Sequence, residues 1–129
     1  MIYLENYNVL ITINSTSNNN SFKTTLTHLK EKKQLYYVDK DKEKTVNLFD
    51  YDNNILMRDN ENIYLELKFK RNKITQNKLL IKEINSTTYI SIKTNDIIIS
   101  ENLILLDYNI DNEHYIYKIE KIGDINEHN

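Results

Sequence analysis

In residues 87–100, TTYISIKTNDIIIS, Thr88, Ile90, Ile92 and Thr94 fall on one side, and Tyr89, Ser91 and Lys93 on the other. Alternation with a period of two is the pattern of a half-buried strand. The Asn95-Asp96 pair that interrupts it predicts a tight turn before a second β-branched run from Ile97. The same pattern recurs along most of the chain. Val9, Ile11 and Ile13 share one face of a first strand, and segments 22–29, 35–39, 45–49 and 55–58 follow. Ile63, Leu65, Leu67 and Phe69 alternate with Tyr64, Glu66, Lys68 and Lys70, the most regular strand in the sequence. A less regular one covers 79–84. Ile104, Leu106, Tyr108 and Ile110 then alternate with Leu103, Leu105, Asp107 and Asn109, and Tyr115, Tyr117 and Ile119 share a face of the last strand. Two segments, THLKEKKQ near residue 30 and ITQNK at 74–78, hint at a helical turn, but neither holds a 3.6-residue period.

Turn signals recur about every ten residues, the spacing of a sandwich or barrel. A single antiparallel sheet of this size favours closure, because closure removes its edges. The expected fold is therefore all-β, one antiparallel barrel of about eight to ten short strands. It spans 1–123, with a short polar tail over 124–129.

Composition refines this picture at the turns. The 129 residues include one glycine and no proline, so Asn and Asp must do the turning, since their short side chains tolerate positive φ. They cluster at 18–20, 52–54, 60–62, 95–96 and 111–113. The net charge of −2 argues against a dedicated nucleic-acid binder. Without cysteine there is no disulfide framework, thiolate metal site or cysteine nucleophile. No apolar run approaches the ~18 residues of a membrane helix, and MIYLENYNV lacks a basic region followed by an apolar one. A cytoplasmic protein that engages neither membrane nor nucleic acid is expected.

In order along the chain, LYYVDKD (35–41), KTVNLFDYDNNILMR (44–58), LLIKEINSTTYISIKT (79–94) and LILLDYNIDNEHYIYKIEKI (103–122) resemble the YwiB-like family of small bacterial proteins, assigned to the calycin β-barrels. Thr45, Arg58, Thr94 and Tyr108 fall at the matching places. The family's threonine and glycine at the turn before the alternating strand are replaced here by Glu83 and Ser86. The resemblance implies a calycin- or lipocalin-like barrel and an arginine at position 58. It brings no activity, because the family has none assigned.

Chemistry-bearing patterns are few. Asp111, Glu113 and His114 form DNEH, a polar hairpin tip rather than a metal site, which needs three or four converging ligands. His28 alternates with Leu26 and reads as a core or rim histidine, and His128 lies in the tail. A phosphate loop or nucleophile elbow would need glycines that the chain lacks. Acids at 39, 41, 50 and 52 sit in or beside turns, so no catalytic residue, metal or cofactor is implied. The lysines around 30–33 and 68–73 read as a solvated outer face. Ligand-binding candidates are Arg58, whose fork suits a carboxylate or phosphate, with Tyr108, Tyr115 and Tyr117 lining an interior. Such a barrel would hold a small amphipathic ligand as a non-enzymatic binding protein. The alternative is a packed barrel whose face or edge engages a protein partner. Both faces of 55–58 have apolar content: if Ile55 and Met57 are buried, Arg58 is a surface cation, and if Leu56 faces inward, Arg58 follows it, near the 60–62 turn and therefore near a barrel rim.

Overall fold

A computed structural model describes residues 4–39 and 44–124. Ten strands follow in sequence: β1 (Leu4–Ser15), β2 (Asn19–Leu29), β3 (Gln34–Asp39), β4 (Thr45–Asp50), β5 (Ile55–Asp59), β6 (Ile63–Lys68), β7 (Ile74–Ile81), β8 (Ser86–Ile99), β9 (Leu103–Ile110) and β10 (Glu113–Asp124). Each pairs antiparallel with the next, and β10 returns to pair with β1, which closes the sheet into a barrel. Helix among the described residues is a single 3-10 turn at Lys30–Lys32, within the THLKEKKQ segment. No helix among them is long and apolar enough to cross a membrane. The tail beyond Asp124, with His128, lies outside the described residues.

Inward positions follow the alternation. Leu67, Phe69, Ile92, Leu106 and Tyr108 are buried together with Val9, Ile11, Leu56, Tyr117 and Ile119. Leu65 and Ile90 pack against this core from partly buried positions. Among the described residues, four of the six non-glycine residues with positive φ are Asn54, Asn72, Asn85 and Asp111, while Gly123 does not use the region. The small side chains of Asn and Asp thus do the work usually given to glycine.

Three expectations are corrected. Asn95-Asp96 is not a turn, because β8 runs through it as one strand. Its register against β9 slips between Thr94 and Asp96, which makes a β-bulge. The bulge is tied down locally. The Asn95 amide donates to Asp107 and Asn109, and Asp96 accepts from the Ile97 N–H and pairs with Arg71. The extra residue lets Thr94 and Ile97 both belong to the inner side, where strict alternation would put them on opposite faces. ITQNK is not helical but the first part of β7. Its inward Asn77, 1% exposed, catches the Lys68 N–H at 2.6 Å and donates to the carbonyls of Thr75 and Ile90. That side chain replaces the ladder where β6 and β7 have stopped pairing beyond Glu66. Finally, the strand expected over 79–84 ends at Ile81, and Ile84 is exposed in the following turn.

Leu106→Ala should destabilise the barrel by about 2–5 kcal/mol in a urea melt, since Leu106 is fully enclosed and truncation leaves a cavity. Ile74→Ala, at a position 68% exposed, should stay within about 0.5 kcal/mol of the parent.

Candidate functional site

Arg58 is on the inner face. Leu56, two residues earlier on β5, is 1% exposed, so the guanidinium follows it into the barrel. Its Nε donates to Asn47 Oδ1 at 2.8 Å, and Nη2 lies 3.9 Å from Asp39 Oδ2, an ion pair longer than a hydrogen bond. Asn47 is fully buried and donates in turn to the Thr45 carbonyl, while Asn60 donates to the Thr45 hydroxyl. The arginine therefore anchors the ends of β3, β4 and β5 at one rim of the barrel.

Above this network lie the tyrosines. The hydroxyls of Tyr37 and Tyr117 meet at 2.6 Å across the lumen. Tyr108 stacks on Tyr115 at 5.4 Å and meets Phe69 edge-on at 5.1 Å. Burial pushes the Tyr37 and Tyr108 hydroxyls up to about 12 and Tyr117 well above its ordinary value. The Arg58 charge acts in the opposite direction on all three, which places it within electrostatic reach of each ring's oxygen. Tyr115 sits nearer the rim, and its hydroxyl donates to Glu113 at 3.3 Å. Thr94, 0% exposed, has a buried hydroxyl with no hydrogen-bond partner among the described residues.

The structure thus brings Arg58, Tyr108 and Tyr117 together in one half of the lumen, with Tyr115 against Tyr108. None of the four lines either of two sizeable hollows. One is a cavity of about 450 Å³ at the other end, where β1 begins. Its floor is Val9, Leu26, Leu35, Ile104 and Ile119, and its rim carries Tyr7, His28, Tyr51, Leu103, Lys30 and Lys121. His28 Nε2 and the Tyr51 hydroxyl are 2.9 Å apart, and the rings meet edge-on. Burial lowers the His28 pKa, against the pull of Glu5. Glu5 forms an ion pair with Lys30, and the Lys121 ammonium stands 3.9 Å over the Tyr7 ring. The other hollow is a groove of about 1060 Å³ beside β2 and β3.

His28 is the rim histidine that its alternation with Leu26 implies. His114 lies at the β9–β10 hairpin, 2.5 Å from Asp107, not in a cluster with Asp111 and Glu113. No group of three metal-ligating side chains occurs among the described residues. Sequence reasoning missed Asn47, Asn77 and the cavity rim apart from His28. Alternation with buried Phe49 could have marked Asn47, but the apolar Val46 and Leu48 on the opposite face hid it.

These features define a ten-stranded antiparallel β-barrel with one polar, networked half and one open, aliphatic mouth. The same fold is found in the crystal structure of the ywiB protein from Bacillus subtilis. That likeness has a TM-score of 0.66 and covers 95% of this chain and 92% of that one at 16% identity. At that identity the likeness is one of fold, and it agrees over nearly the whole chain with the resemblance read from the sequence. No protein-family model and no curated protein matches the chain.

Tyr37→Phe should cost about 1–3 kcal/mol, because it strands the Tyr117 hydroxyl in the interior. The Tyr37→Phe/Tyr117→Phe double variant should recover most of that loss, giving a strong coupling in a double-mutant cycle. Alkaline stability follows from the same burial. A folded pKa above the unfolded 10.0 means the unfolded chain releases its protons first. Stability should therefore be flat below pH 10 and fall as the pH rises towards 12, as followed by tyrosinate absorbance and circular dichroism together.

Proposed function

We propose that this barrel is a non-enzymatic binding protein for a small, partly apolar molecule held in the mouth at the end where β1 begins. The cavity of about 450 Å³ carries the reading: its volume suits a small ligand, its floor is aliphatic, and its polar groups are confined to the rim. A ligand there would place its apolar body against Val9, Leu26, Leu35, Ile104 and Ile119. Its polar end would meet His28, Tyr51 and Lys121. The protein would act in the cytosol, the compartment expected of a chain without disulfides.

Arg58, Tyr108, Tyr115 and Tyr117 take a supporting part in this reading. Their hydrogen bonds and ring contacts fill the half of the lumen opposite the mouth. They form the plug on which an open cavity can be built without collapse of the wall. The bond from Arg58 to the fully buried Asn47 is central to that plug.

Protein isolated from its own cells and examined by native mass spectrometry should carry a bound small molecule. Leu103→Trp, which fills the rim, should abolish its retention. Arg58→Met should lower stability by about 1–3 kcal/mol through loss of the Asn47 partner, with ligand retention kept at temperatures where the variant is folded. Absence of any bound species, together with no uptake of an apolar fluorescent dye that Leu103→Trp blocks, would remove the basis for this reading. Loss of retention in folded Arg58→Met, but not in Leu103→Trp, would move the ligand to the arginine end.

A further inference from the structure

We infer that β2 carries a docking edge for an extended, acidic peptide segment of another protein, which would join the barrel wall as an added strand. This inference is independent of the ligand proposed for the mouth. The observation is an unequal pairing. β2 pairs with β1 at eleven positions, from Asn19 to Leu29, with no slip in register. On its other side it pairs with β3 at three positions, Thr27, His28 and Leu29. β3 meanwhile stays paired with β4 along its whole length, from Gln34 to Asp39. β3 therefore turns away from β2 after Tyr36, and no strand among the described residues lies along the outer edge of 19–26.

An antiparallel strand directs alternate N–H and C=O groups to each side. Along 19–26, one set serves β1 and the other faces the open edge. Natural edges are commonly blunted by proline, bulges and several charged side chains, lysine above all. This stretch has no proline, keeps its register, and carries one charge, the outward Lys23. The groove of about 1060 Å³ lies here, bordered by Phe22, Lys23, Thr24, Tyr37 and Asp39.

Strand addition supplies main-chain hydrogen bonds for affinity and alternate side-chain positions for selectivity. Both sets of positions are defined here. Phe22 is half-buried beside Tyr37, with ring centroids 6.3 Å apart, and Thr24 and Leu26 continue that inner face. A guest strand would set small apolar residues against it. Its outer residues would lie beside Ser21, Lys23 and Thr25, where Lys23 favours a carboxylate. A second copy of this chain fits less well, since residues 19–26 of β2 hold a lysine and no acidic residue to meet it. The occupant is thus a segment of alternating small apolar and acidic residues.

The probe is a synthetic peptide, TVEVEVT, tested against the whole protein by fluorescence anisotropy and by amide hydrogen exchange. In the free protein, alternate amides within 20–26 should exchange fast while their neighbours, bonded to β1, exchange slowly. The peptide should slow the fast set. N-methylation at alternate peptide residues should weaken binding at least tenfold, because it removes main-chain donors. Lys23→Glu should weaken TVEVEVT about tenfold and favour TVKVKVT instead. Uniform protection of 20–26 in the free protein would overturn the proposal. So would failure of TVEVEVT to bind, equal binding of its N-methylated form, or binding that leaves the exchange of 20–26 unchanged.

Discussion

Everything in this barrel depends on the ladder between β1 and β10. Those strands stand at opposite ends of the described chain, yet they pair from Tyr7↔Asp124 to Ser15↔Tyr115. The pairing Ile11↔Ile119 sets two buried side chains opposite one another, and Ile13↔Tyr117 brings the lumenal tyrosine beside another apolar neighbour. A slip by one residue would turn the whole inner set of β10 outwards, Tyr117 included. The hydroxyl contact between Tyr37 and Tyr117 would then be lost with it. The polar network therefore presupposes closure, and closure in turn is fixed by aliphatic alternation on β1.

Arg58 shows how polarity is distributed inside. A guanidinium in a barrel is tolerable when its donors meet acceptors and its charge meets an opposing one. Asn47 supplies the first at 2.8 Å and Asp39 the second at 3.9 Å. Both partners come from the two strands that precede β5. The polar groups are thus gathered into one half of the lumen, and the remaining half is left to Leu26, Leu35, Ile104 and Ile119. That division separates a packed, hydrogen-bonded end from an open, aliphatic one.

The strands were legible wherever one face was consistently apolar. β6, β9 and the first part of β8 could be read directly, and so could the inner positions Leu67, Ile92 and Leu106. Reading failed where both faces had similar character. In β4, Val46 and Leu48 look like the core face, but Thr45, Asn47 and Phe49 are the buried set. In β7, the inward Asn77 is held by hydrogen bonds that no period can show. The bulge at Asn95-Asp96 looked like a turn because both sites use the same residue types. Arg58 stands out in the sequence by its chemistry, but its side of the strand depends on which way Leu56 faces. The mouth cavity was invisible for a different reason: its rim comes from Tyr7, His28, Tyr51 and Leu103, residues on separate strands and turns that only closure assembles.

The asparagine turns have a consequence for the chain before it folds. Asn54, Asn72 and Asn85 hold the left-handed backbone that glycine adopts most freely. A glycine there would fit the folded barrel without steric cost, but it would also enlarge the ensemble of the unfolded chain. Substitutions that restrict that ensemble at a compatible φ are worth about 0.4–1 kcal/mol each. By turning on asparagine, this sequence denies its unfolded form some disorder, and sets that gain against the cost of holding a side chain in the left-handed region.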